Sequence, residues 1–157
     1  MKGIWVVPVV LGIALLLGLS SVSVYAAPAI IIDNGSSNIE GGKLKVKVDV
    51  SGFSESGADN FLLVVIIRNF ATGEQAFDFI QFDTDGKIKD KAGATVGGNP
   101  DAEIEKATLE LSKGTLKMDS SFANFTPTSD DDFELIMILR NTSNGEQAVD
   151  IVSFSEI

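Results

Sequence analysis

The chain has 157 residues, 45% of them hydrophobic, a formal charge of −10, and neither cysteine nor histidine. Lacking those two residue types, it cannot build Ser-His-Asp or Cys-His nucleophiles, ordinary zinc sites, haem or copper ligation, or stabilising disulfides. The acidic balance argues against nucleic acid, whose binders are basic.

At the start, Lys2 precedes an uncharged apolar run over residues 4–19, and SSVSVYA leads into Ala27-Pro28. Val24 and Ala26 suit the −3 and −1 positions of a signal peptidase site, which predicts an exported chain cut after Ala26. The run is short for a membrane span, which needs about 20 residues. Since no charge falls between Lys2 and Asp33, an uncleaved apolar anchor helix is the alternative. Membrane contact is expected only through such an uncleaved terminus. Lys2-Gly3 ahead of the run also resembles the start of an archaeal type IV prepilin.

Ala29, Ile30, Ile31 and Ile32 form a short β-prone run, followed by Asn34-Gly-Ser-Ser and then Gly41-Gly42. It is either an edge strand of its own domain or a strand that completes a neighbour's sheet, with Gly and Ser supplying the reach. KLKVKVDV over residues 43–50 alternates, with Leu44, Val46, Val48 and Val50 on one face; that is a half-buried antiparallel strand.

Residues 61–82 (FLLVVIIRNFATGEQAFDFIQF) recur as residues 133–154 (FELIMILRNTSNGEQAVDIVSF), with Arg68 falling on Arg140. The match runs upstream: Gly42, Leu44, Lys45, Phe53 and Asp59 fall on Gly114, Leu116, Lys117, Phe125 and Asp131. Each copy reads as an apolar strand, a polar loop ending in Gly at positive φ, and a return strand. Across that loop Arg68 is expected to face Glu74, and Arg140 to face Glu146, a register-setting pair of opposite charges. The runs at 61–67 and 135–139 are apolar at every position. A sandwich strand should alternate, so something is expected to cover their outer side.

Between the copies lies DTDGKIKDKAGATVGGNPD, a polar Gly-rich connection, and then AEIEKATLEL, which alternates only in part and is read as a strand. Asp83, Asp85 and Gly86 resemble the opening of a calcium loop, without the later ligands of an EF-hand. Asp130, Asp131 and Asp132 form a second acidic cluster. Both clusters are candidate calcium ligands, with solvated acidic turns as the plainer reading; no other cofactor is expected. Sequons at Asn34, Asn124 and Asn141 can carry glycans on an exported chain. Asp78 and Asp150 sit inside apolar strands at matched positions, and an active site present twice in one small domain is rare. They are read as structural, and no catalytic residue is assigned.

These features predict an all-β fold: an antiparallel β-sandwich of two duplicated strand-hairpin units behind an N-terminal signal or anchor helix. The expected division is 1–26 signal or anchor, 27–42 strand and linker, and 43–157 sandwich, with repeats 42–83 and 114–155 joined by 84–113. The segments VYAAPAIII, KLKVKVDV and FLLVVIIR together resemble secreted archaeal filament subunits, a group that includes bundling pili related to the TasA matrix fibre, surface threads and cannula tubules. The resemblance implies a secreted, non-enzymatic homopolymer on the cell surface, in which an N-terminal strand enters the next subunit's groove, and for the cannula type an association with Ca²⁺. The alternative is a surface binding module held in the membrane by an uncleaved N-terminal helix, or a type IV pilin-like protein.

Overall fold

The computed structural model describes residues 26–40, 42–54, 60–83, 88–96, 101–123 and 133–157. The expected signal or anchor helix lies outside them. Among them the elements are strands β1 (Ala29–Ile32), β2 (Asn38–Glu40), β3 (Lys43–Ser51), β4 (Asn60–Asn69), β5 (Gln75–Asp83), β6 (Ile88–Val96), β7 (Asp101–Glu110), β8 (Thr115–Ala123), β9 (Phe133–Asn141) and β10 (Gln147–Ser153), with short 3-10 turns. The fold is all-β, in two antiparallel sheets.

The first sheet runs β1-β3-β8-β7, with β2 continuing the same edge of β3 beyond β1; the second runs β10-β9-β4-β5-β6. The alternation in KLKVKVDV becomes the first sheet's two faces: Leu44, Val46, Val48 and Val50 are buried while the lysines point outward. Facing them, Phe61, Leu63, Val65 and Ile67 of β4 and Leu135, Met137 and Leu139 of β9 complete one core. The partial alternation after Ala102 also has a cause. A bulge between Ile104 and Lys106 shifts the phase, so Ala102 and Ile104, then Ala107 and Leu109, all point inward.

The polar connection between the copies is more structured than expected, since it carries β6, paired along β5. The duplication reaches further than Gly42 as well. Ala29 to Ile32 lie opposite Ser51 to Val48, and Asp101 to Ile104 lie opposite Ala123 to Ser120, at the same 72-residue offset that links Arg68 to Arg140. β1 and the first half of β7 therefore occupy the same place in the two repeats.

The repeats are related by a local two-fold axis. β3 pairs with β8 so that Val46 faces Met118, its own equivalent, and β4 pairs with β9 so that Val65 faces Met137, again its own equivalent. One axis through these two pairs relates the halves as an isologous dimer interface relates two subunits.

The hairpin loops follow the sequence. Gly73 and Gly145 take φ of 75° and 83°. In each loop the starting Asn donates its N–H to the Glu carbonyl (Asn69 to Glu74, Asn141 to Glu146, both 2.8 Å), and its Oδ1 accepts from a loop N–H. The expected charge pairs do not form in this register. Arg68 faces Gln75 and Arg140 faces Gln147, because Glu74 and Glu146 belong to the turn. Arg68 instead reaches the neighbouring strand and pairs with Glu134, the residue opposite it on β9.

Candidate functional site

The amino-terminal strand is a small, separable part of the core. Ile30 and Ile32 are buried while Ile31 is 63% exposed, the pattern of a strand with one face on the core. β1 pairs with β3 on one side only and packs beside β10. Its far edge leaves N–H groups that no strand among the described residues receives. Asp150, from inside β10, takes one of them: Ile32 donates its N–H to Asp150 Oδ2 at 2.7 Å. In the other repeat, Ile104 on β7 donates to Asp78 Oδ2, also at 2.7 Å. The matched aspartates are thus equivalent latches. Both sit on the second sheet, and each blunts one edge strand of the first, closing the two sides of the sandwich. Asp78 is 1% exposed and also accepts from the Phe79 N–H, whereas Asp150 is half-buried.

Behind β1 the chain turns through residues 34–36, and Asp33 is tied to β3 twice. Its N–H donates to the Lys47 carbonyl at 2.8 Å, and its carboxylate accepts from Lys47 Nζ at 2.9 Å. The Lys47 ammonium holds the Asp33 carboxyl below its ordinary range, and Asp33 in turn raises Lys47.

The outer face of the second sheet is the other distinctive surface. By alternation along each strand, Ile151, Ile136, Ile66 and Phe77 form one outward row, and Val149, Ile138, Val64 and Phe79 the next. Polar rows close it on both sides: Ser153, Glu134, Arg68 and Gln75 at one end, and Gln147, Arg140, Leu62 and Gln81 at the other. Every described element belongs to one of the two sheets or to a turn, so among the described residues no element packs over this face. The first sheet's outer face is charged instead, with Lys43, Lys45, Asp49, Lys106 and Lys117 exposed.

The proposed ion and glycan positions fare differently. Asp83 ends β5, opposite Asn60; Asp85, Asp130, Asp131 and Asp132 lie outside the described residues, as does Asn124. Among the described residues no three carboxylates gather as a metal site would require. Asn34 is exposed at the turn behind β1 and has room for a glycan. Asn141 does not: it is fully buried at the start of its loop, where its Oδ1 holds the Ser143 N–H.

No family model matches the chain, and no curated protein matches it. Among solved structures it is similar to MtrC from Shewanella baltica OS185, with 14% identity and a TM-score of 0.33. The similarity covers 81% of this chain and 22% of that one. A score that low carries no argument about fold or role.

Proposed function

We propose that this chain is an extracellular structural subunit that polymerises by strand exchange, β1 of one copy filling the slot beside β3 of the next. The observation that carries the reading is the construction of β1. It is a four-residue edge strand that sends two isoleucines into the core, is latched by one carboxylate, and is joined onward through a Gly-Ser turn. In the second repeat the same slot is filled by a continuous strand, β7. A β1 from a neighbouring copy would remake the main-chain bonds to β3, the two isoleucine sockets and the Asp150 latch without any new surface. Export is supported by the residues before Ala27, and the cell surface is the expected location.

The test is negative-stain electron microscopy of the chain and of a variant lacking residues 27–34, with and without Ca²⁺. Filaments or tubes are expected from the parent and none from the deletion. A peptide spanning residues 27–34 should bind the deleted chain and raise its thermal stability. Filaments that persist in the deletion variant refute strand exchange. Filaments that form only with Ca²⁺ would make Asp83 and Asp85, with Asp130 to Asp132, the ligands to substitute next.

A further inference from the structure

We propose that the outer face of the second sheet binds the same face of a second copy of this chain, back to back. This goes beyond strand exchange and does not depend on it.

Three observations converge. The first is composition. Two adjacent rows of four apolar side chains cross four neighbouring strands, and the central Ile136 and Ile138 are already 4% and 8% exposed, while the flanking Val149 and Ile151 are 44% exposed. The charged outer face of the first sheet shows how this chain builds a wet surface, and this face is built otherwise.

The second is size. Four strands about 4.8 Å apart and four outward rows about 6.8 Å apart give a face of about 500 Å². Two such faces span about 1,000 Å² together, close to the size at which specific interfaces begin.

The third is self-complementarity. The local two-fold axis emerges through the middle of this face, between β4 and β9, so Ile66 is equivalent to Ile138 and Phe77 to Val149. A surface that repeats itself about a perpendicular axis can meet its own copy in two nearly equivalent ways. Charge chooses between them. Arg68 has Glu134 opposite it, but Arg140 has Leu62, although the Nε atoms of both arginines are buried with no hydrogen-bond partner among the described residues. Gln147, beside Arg140, likewise has its Oε1 buried without one. Stacking with strands reversed places Arg140 over the partner subunit's Glu134 row and brings the apolar rows together. Stacking with the same ends together leaves Arg140 over the partner subunit's Leu62. The reversed arrangement is the one assigned here, since it sets a carboxylate over the half-buried Arg140, whose cross-strand neighbours Leu62 and Gln147 carry no charge.

The experiment is sedimentation velocity on the non-filamentous fraction of the full chain, alongside Val149→Lys/Ile151→Lys and Arg140→Glu. Both apolar positions are far enough exposed for lysine to leave the fold intact, which circular dichroism and the urea midpoint would verify. The parent should sediment as a dimer. The double variant should self-associate at least about tenfold more weakly, because each lysine would be buried unpaired. Arg140→Glu should weaken it too, and Ile31→Lys, on the other sheet, should not. A monomeric parent overturns the proposal, whether its face is covered by its own residues 4–19 or awaits a different protein. So does a dimer indifferent to the lysines. A lysine-sensitive dimer that never forms filaments upholds the face and removes strand exchange; filaments whose parent subunits show no such dimer do the reverse.

Discussion

Replacing Asp78 by alanine should be among the most damaging single changes in the chain, and replacing Asp150 much milder, although the two are equivalent in sequence. Asp78 is buried and holds the Ile104 N–H at 2.7 Å and the Phe79 N–H at 2.8 Å. Alanine leaves the buried Ile104 donor without its acceptor, a loss of about 1–3 kcal/mol for an unsatisfied group, with a comparable contribution from a bond to a carboxylate. Because these overlap, we expect about 3 kcal/mol. Asp150 is half-buried, so water can replace it at Ile32, and about 1 kcal/mol is expected. Asp78→Asn, which keeps an oxygen acceptor, should recover most of the loss. Urea unfolding gives the totals, and amide exchange locates them: Ile104 should lose protection in Asp78→Ala, and Ile32 in Asp150→Ala. Equal destabilisation by the two alanines, or an Ile104 amide that stays protected in Asp78→Ala, would show that the latches do not close the sandwich as described.

Three further outcomes are expected. Ile32→Ala should cost about 2–4 kcal/mol by leaving a core cavity, whereas Ile31→Ala, at an exposed position on the same strand, should stay within about 0.5 kcal/mol; denaturant midpoints decide. Leu62→Glu sets a carboxylate opposite Arg140 and rebuilds on one side the pair that Arg68 and Glu134 make on the other, so it should exceed Leu62→Lys in stability by about 1 kcal/mol. No difference between them would mean that Arg140 does not sense its cross-strand neighbour. The Asp33–Lys47 tether should show two limbs with pH. Asp33, being depressed, stabilises above the ordinary carboxylate range and stops doing so as pH falls through its lowered value. Lys47, being raised, stabilises below the ordinary lysine range and stops doing so as pH climbs through its raised value; Asp49 also favours its charge. Exchange of the Asp33 amide should therefore be slowest, relative to Asp33→Asn, between those ranges. An unchanged pH profile in Asp33→Asn would contradict this.

What the sequence determined by itself was local or repeated. Period-two alternation in residues 43–50 identified β3, its core face and its charged face, because the strand pleat places successive side chains on opposite sides. Two gapless copies of one hairpin identified the duplication, and Asn and Gly at fixed places identified the loops. The apolar runs at 61–67 and 135–139 announced a sheet that is apolar on both faces. The absence of His and Cys limited the chemistry before any strand was placed.

What only the tertiary structure decided was which strands meet. Arg68 and Glu74 are close in sequence, and that closeness suggested their pairing; yet the turn absorbs Glu74, and the partner of Arg68 comes from β9, 66 residues away. The kinship of Ala29–Ile32 with the start of β7 is invisible in AIII against DAEI, where only Ile32 and Ile104 agree. It appears once both are seen in the same register on equivalent strands. The matched aspartates were legible as structural, but their role depends on edge N–H groups supplied from 118 and 26 residues away. The local two-fold axis is of the same kind: a repeat in sequence shows that two halves are alike, and only the cross-strand pairing of Val46 with Met118 and Val65 with Met137 shows that they meet as a dimer does. Side-chain alternation is fixed by the backbone of a single strand, whereas register and sheet order are settled by burying one common core between strands far apart in the chain.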